Sequence, residues 1–443
     1  SLEMRARVVV EGFWTGIHRS PYHGFSVEFT EYRQYTPGDD PRYLDWKLFA
    51  RSDRYFIKKF EDETNLRCHL LADNSRSMTF GSRGVTKAAY ANTLAATLAY
   101  FLHQQGDATG LLTEAQRTFG SNTVNFNIPG AGVHTINIGS RLPTFANATG
   151  GVTVDGYSQP GSSPNTDQLA SNAQIRIEIH GNLGIEAMAF SSGDNIVWGV
   201  AIYEVQRAIY MLGGNARNNQ LLGNFLGTNA AGTWAAGGTV TAADTVALMG
   251  GANNNRVGGN QLADRNVISG GYYRGVMTWD ETTDHNVIIN NLIGHNPGGT
   301  YALPNRSHGV DINAMSSFTM VGGAGPNERN VISGNLEEGV EISHQVNTAN
   351  NQVVGNFIGT EPSGTAGPVW ARNQGSGIFV EDGSSNNLVA NNVVGNSGWT
   401  CCEQGGIIVD WFYANGNRIT GNLVGVSLNG TPIPNGKIGR AHV

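Results

Sequence analysis

Asn351-Gln352-Val353-Val354-Gly355-Asn356, followed directly by Phe357-Ile358-Gly359-Thr360, is the stretch that decides the fold. Its apolar residues come in short runs between Asn and Gly, too short for the face of a helix. In so short a strand one side chain points inward and its neighbour outward. Asn and Gly mark the corners, because both accept the left-handed backbone. The pattern Asn-x-(Val/Ile/Leu)-x-(Gly/Asn)-Asn recurs at Asn219–Asn224, Asn255–Asn260, Asn286–Asn291, Asn330–Asn335, Asn387–Asn392 and Asn417–Asn422, with a near copy at Asn266–Gly271. A second pattern, Gly-(Val/Ile)-x-(Ile/Val), occurs at Gly309–Ile312, Gly339–Ile342, Gly377–Val380 and Gly406–Val409. The starts at Asn266, Asn286, Asn330 and Asn351 lie 20, 44 and 21 residues apart. A period near 21 with two or three short strands means coiled strands rather than a helical repeat. The expected architecture is mainly β, a right-handed parallel β-helix. At about 4.8 Å per coil, roughly ten to thirteen coils would span about 50–60 Å. Corner Asn side chains would hydrogen-bond to their copies in adjacent coils.

The chain has 443 residues, 60 of them Gly, 14 Pro and 3 Cys, and a net charge of -7. That composition excludes full disorder, collagen and a disulfide scaffold. No apolar run is long enough for a membrane span. The acidic balance argues against nucleic acid as a partner. The average joins two unlike parts. Up to Glu114 there are 3 Asn and 8 Gly; beyond it there are 43 Asn and 52 Gly. All of the net negative charge lies beyond Glu114. The expected division is 1–114, a first segment; 115–435, the solenoid; and 436–443, a tail outside the repeat.

In the first segment, Arg67–Ala72 reads as a buried strand and Val85–Gln105 as a helix. Ala91, Leu94, Ala95, Leu98, Phe101 and Leu102 form its inner face. A second strand starts at Gly110. Between strand and helix, Asp73-x-Ser75-x-Ser77 offers a carboxylate and two hydroxyls, hard oxygen ligands suited to Mg²⁺. The same residues also suit a turn and a helix cap. Asp39, Asp40, Arg42 and Asp45 form either a partner-binding cluster or a local ion-pair turn. His18 and His23 lack spaced partners and read as ordinary surface or structural residues.

The stretches Gly24–Phe29 and Arg33-Gln34-Tyr35-Thr36-Pro37-Gly38-Asp39-Asp40-Pro41-Arg42-Tyr43-Leu44-Asp45-Trp46-Lys47 resemble the bacterial domain-of-unknown-function fifty-eight family. The loop at Asp73 resembles the metal-ion-dependent adhesion motif of von Willebrand factor A domains. The resemblance implies an α/β von Willebrand A-like core, cytoplasmic, partnering MoxR-type AAA+ ATPases, with Mg²⁺ at Asp73, Ser75 and Ser77. The likeness stops near Leu112. The downstream Thr and Asp that would complete the metal site have no counterpart, so the fragment is expected to be truncated and to bind Mg²⁺ weakly.

Gly223–Thr228, Gly355–Thr360, Val152–Gly161 and Val124–Gly130 resemble right-handed parallel β-helix repeat proteins of the pectin-lyase-like superfold. That implies an extracellular or cell-surface protein binding glycans or other surfaces. A polysaccharide lyase or hydrolase is the alternative. Hydrolysis needs paired carboxylates, and Asp311 and Glu341 occupy equivalent outward positions, with Glu381, Asp382 and Asp410 further along. The competing reading gives these acids a solubilising role. Trp279, Trp370, Trp399, Trp411 and Phe412 suit either stacking on sugar rings or packing under loops. Cys401, Cys402 and Cys68 suggest no metal or redox role. The chain begins at Ser1 with no visible signal peptide. Lys437–Val443 resemble translated sequencing-adapter read-through. The expectation is a chimeric fragment joined near 113–119.

Overall fold

The computed structural model describes residues 28–36, 44–61, 68–72, 81–82, 85–87, 90–91, 94–95, 109–113, 122–146, 150–344, 347–398, 405–410 and 413–436. Two compact units divide the chain, Ser1–Ala115 and Gln116–Val443.

In the first unit, Glu28–Gln34 pairs antiparallel with Phe56–Glu61, with a bulge between Phe29 and Glu31. The helix Trp46–Ser52 lies between them in sequence. Asp45 caps it, accepting from the backbone N of Lys47 and Leu48 at 2.9 and 3.0 Å. Such a cap contributes about 1 kcal/mol. Asp45 therefore has a local structural task, while Asp39, Asp40 and Arg42 lie outside the described residues. Cys68–Ala72 and Thr109–Thr113 are parallel neighbours, as a strand, loop, helix, strand order requires. The intervening helix starts later than its periodicity indicates. Val85–Thr86 pairs with Gly81–Ser82 in a small hairpin, and helical backbone begins at Lys87. Two β-branched residues in succession favour that extended start. Leu94, expected on the inner face, is 48% exposed, whereas Ala95 is buried. Asp73, Ser75 and Ser77 lie outside the described residues.

The second unit is a parallel β-helix. Three sheets of ten, ten and eight strands form its faces. The chain visits them in turn. Gln220–Leu222 lies on face 1, Phe225–Leu226 on face 2 and Val246–Met249 on face 3, and Arg256–Val257 returns to face 1. Neighbouring strands are parallel and in register. Ten stacked strands give nine steps, about 43 Å at ~4.8 Å each, shorter than the expected rod. The core is a set of columns along the axis. Val197, Leu221, Val257, Ile288, Val321, Val353 and Val389 form one, all buried and in register.

Two long ladders of Asn, buried except at the terminal Asn422, run along the corners. On the first, Asn195, Asn219, Asn255 and Asn286 are linked side chain to side chain at 2.8, 2.9 and 3.2 Å. The second runs Asn224, Asn266, Asn291, Asn330, Asn356, Asn392 and Asn422, with links of 2.9–3.3 Å. These are the inter-coil amide bonds the sequence predicts. A third, shorter ladder joins Asn305, Asn335 and Asn373, of which only Asn335 belongs to a copy of the repeat pattern. The left-handed backbone belongs to the residue before the rung. Asn218, Asn254, Asn350 and Asn386 have φ of 55–60°.

The ladders correct the period. Consecutive rungs of the first are 24, 36 and 31 residues apart, and those of the second reach 42. One coil holds three strands, not about 21 residues. Asn286 and Asn351 are first-ladder residues, whereas Asn266 and Asn330 are second-ladder residues. Steps between these starts therefore measured parts of a coil.

Face 2 also departs from the alternating pattern. Its outward row of Ala201, Phe225, Val267, Leu292, Val331, Phe357 and Val393 is apolar and buried, packed with Ala173, Ile175, Ala230 and Ile433 from connecting segments.

Candidate functional site

The edge where face 2 turns into face 3 collects the reactive side chains. Aromatic rings come first along the axis. His180 and Tyr203 end successive face-2 strands and are register partners, with ring centroids 4.9 Å apart. Trp234 follows at 5.4 Å from Tyr203, and Tyr272 at 5.9 Å from Trp234. All four are half-buried. Tyr203, Glu204, Trp234, Thr245 and Tyr272 line one cleft. The Thr245 hydroxyl there is buried and has no hydrogen-bond partner. His180 Nε2 meets Glu204 at 2.7 Å.

The next coils of the same edge are charged. Arg274 lies over the Tyr273 ring, its guanidinium carbon 4.4 Å from the centroid. Its Nε is 2.6 Å from Asp311 Oδ2, and its other arm 3.4 Å from Asp244. His308 sits between acids, Nδ1 3.0 Å from Glu338 and Nε2 3.1 Å from Glu341 and 3.5 Å from Glu337. The Ser307 hydroxyl donates to Glu337. The Arg274 Nε and His308 Nδ1 contacts are close but poorly aligned, so they act as charge contacts more than as hydrogen bonds.

The fold sets this arrangement. Asp244, Arg274, His308 and Glu338 each stand two residues before the first inward residue of a face-3 strand, Val246, Val276, Val310 and Val340. Stacking the strands stacks these side chains, with the basic pair Arg274 and His308 between the acids Asp244 and Glu338. The glycine between is fixed by space. A Cβ on Gly309 would lie 2.5 Å from Ile332 Cγ2 and 2.7 Å from the Gly339 carbonyl oxygen.

Asp311 and Glu341 are direct register partners, as their equivalent sequence positions indicate. Their surroundings differ. The Asp311 side chain is 0% exposed and held by Arg274, whereas Glu341 keeps 12% of its surface. Burial pushes the Glu341 carboxyl up to about 8; His308 opposes this, and Asp311, Glu338 and Glu381 add to it. Burial and neighbouring Asp382 push Glu381 up to about 7. Burial favours neutral His308, but Glu341, Glu338 and Asp311 outweigh it and raise the ring to about 10. The ligand atoms of His308, Asp311 and Glu341 lie within 4.8 Å of one another, close enough for one divalent cation.

The expected aromatic candidates lie elsewhere. Trp370 packs edge-on against His295 at 5.7 Å, and Trp279 faces His344 at 6.2 Å. Trp399, Trp411, Phe412, Cys401 and Cys402 are outside the described residues. Tyr203, Trp234, Tyr272, Arg274 and His308 were missed. For Arg274 and His308 a signal existed: each immediately precedes the glycine of a Gly-(Val/Ile)-x-(Ile/Val) or related run.

Residues 31–123 match the family described as protein of unknown function DUF58. The DUF58 stretch also aligns with uncharacterized proteins of Mycobacterium tuberculosis and Mycobacterium bovis, at 30% identity over 112 residues. That alignment covers 25% of this chain and 35% of each relative, so the chain spans about a third of their length. Among solved structures, an alginate lyase in complex with a trisaccharide aligns with 77% of this chain and 63% of its own, at 11% identity and a TM-score of 0.37. The A-module of an Azotobacter vinelandii mannuronan C-5 epimerase covers 76% and 86%, at 12% identity and a TM-score of 0.37. At such values no residue role is transferred. The coil rests on its own strand register.

Proposed function

We propose that the β-helix is an extracellular glycan-binding protein whose ligand lies along the face 2–face 3 edge. The observation carrying this reading is the ring row His180, Tyr203, Trp234 and Tyr272, with centroids 4.9–5.9 Å apart. A sugar residue is about as long as one ~4.8 Å coil step, so successive rings suit successive sugars. Trp234→Ala is expected to weaken oligosaccharide binding about ten-fold, the equivalent of ~1.4 kcal/mol. Calorimetry or affinity electrophoresis reads this directly. Unchanged affinity in a folded variant removes the ring row from the site.

Cleavage of the bound polymer is the second reading, favoured by one observation. Glu341 holds its proton near neutral pH beside a carboxyl partner, as a general acid must. A reducing-end and unsaturated-uronate assay on a polysaccharide panel tests it. No product from the wild-type chain, or equal product from Glu341→Gln, would sink it.

For the first unit, the proposal is a partner module of a MoxR-type AAA+ ATPase with weak Mg²⁺ binding at Asp73, Ser75 and Ser77. The match of residues 31–123 to the family of unknown function supports this reading. Tight, Asp73-dependent Mg²⁺ binding by calorimetry would contradict the weak site.

A further inference from the structure

We infer that the glycan taken by this edge carries free amino groups, as in a polymer of glucosamine, and is not a uronate polymer. The inference rests on the glycan-binding reading and adds the charge of the ligand. Three observations point the same way.

First, among the described residues of this edge the exposed charges are carboxylates, while the guanidiniums are bound. Glu204 keeps 41% of its side-chain surface and Glu337 keeps 51%. Glu381 and Asp382 are half-buried further along. No Lys occurs between residues 116 and 436. Arg207 is bound to Glu186 at 2.8 Å. Arg274 is held between Asp244 and Asp311, and Arg306 donates to the Ala236 carbonyl. A uronate on this strip would meet like charge at Glu204 and Glu337, where Arg207, Arg274 and Arg306 are already bound.

Second, the ring row favours a cation. Aromatic faces attract ammonium groups through their quadrupole, most strongly where water is partly excluded. Tyr203, Trp234 and Tyr272 surround a cleft that also holds Glu204. Rings plus one carboxylate form the chemistry that selects an ammonium over a neutral group.

Third, the cleft holds an unanswered polar group. Thr245 is 3% exposed, lines the cleft, and its hydroxyl has no partner. A buried hydroxyl without a partner costs free energy until something supplies one. A sugar hydroxyl or amine seated between the rings would do so.

The test titrates the full chain with three oligosaccharides of equal length: glucosamine, N-acetylglucosamine and a uronate, below the pKa of the sugar amine. The expected result is that the glucosamine oligomer binds at least about ten-fold tighter than the acetylated one, and that high salt erodes the advantage. Glu204→Gln and Glu337→Gln should shrink that advantage, while Trp234→Ala weakens both neutral and cationic oligomers. Equal or tighter binding of the acetylated or uronate oligomer overturns the charge selection and leaves glycan binding standing. Binding of none of the three overturns both.

Discussion

Asn330 lies in the middle of the second Asn ladder, fully buried. Its Oδ1 accepts from Asn291 N at 3.0 Å and Asn291 Nδ2 at 2.9 Å. Its Nδ2 donates to the Ile288 carbonyl at 2.8 Å and to Asn356 Oδ1 at 2.9 Å. Asn330→Ala removes all four bonds, but their costs differ. Asn291 Nδ2 keeps Val257 and Ile289 as acceptors, and Asn356 Oδ1 still receives the residue 330 backbone N–H. The Asn291 backbone N–H loses its acceptor. One orphaned buried donor costs about 1–3 kcal/mol, and three lost bonds about 0.5–1.5 kcal/mol each. With part of the loss recovered by relaxation, the expected cost is about 2–6 kcal/mol. A solenoid unfolds as coupled repeats, so a single midpoint is a blunt readout. The sharper assay is amide hydrogen exchange at Asn291, which should speed up strongly, alongside urea unfolding followed by far-UV circular dichroism. Asn347→Ala, at an exposed position, serves as the control and should stay within about 0.5 kcal/mol of wild type. A cost below ~1 kcal/mol for Asn330→Ala, with Asn291 exchange unchanged, would refute the claim that the ladders stabilise the coil.

Three further outcomes are expected. Thr319 occupies a rung position where the first ladder breaks: its N–H donates to Asn351 Oδ1 at 2.8 Å, but its hydroxyl is buried without a partner. Thr319→Asn should rejoin the rungs at Asn286 and Asn351 and stabilise the protein by about 1 kcal/mol in urea titrations; a destabilised variant would show that the gap has no room for an amide. Gly309→Ala should cost more than about 2 kcal/mol, because its Cβ would meet the Gly339 carbonyl oxygen at 2.7 Å, and unchanged thermal stability would disprove that contact. The third outcome concerns pH. Folded Glu341 titrates near 8 instead of 4.5, Glu381 near 7 instead of 4.5, and His308 near 10 instead of 6.5. The folded state thus holds more protons than the unfolded one. Stability from the two acids is present below pH 4.5 and is lost as pH rises through about 7 to 8; that from His308 is lost between 6.5 and about 10. Thermal unfolding at pH 6 and pH 9 should show the decline, and Glu381→Gln should reduce it. Stability that rises across this window would contradict the cluster.

What the sequence made legible is what the coil repeats. Val353 and Ile358 recur as a motif because every coil needs the same inward columns, and Asn351 and Asn356 because every corner needs a rung. The period of the sequence differs from the coil because one hexapeptide signature serves two corners, a degeneracy that only the hydrogen bonds resolve. The site was hidden for the opposite reason. Trp234 comes from the segment between Phe225–Leu226 and Val246–Met249, whereas Tyr203 ends its own strand. Their spacing obeys no period, because the turns between faces 2 and 3 vary in length. Asp311 and Glu341 were visible as equivalent positions, yet equivalence in sequence did not mean equal exposure. Arg274 reaches Asp311, and His308 reaches Glu341. The partner is chosen by the residue two places before each strand, which the repeat leaves free. A coil that constrains its inward residues so tightly leaves its turns free to carry chemistry. In this chain the side chains that differ from coil to coil at one edge, not those that repeat, are therefore where ligand specificity belongs.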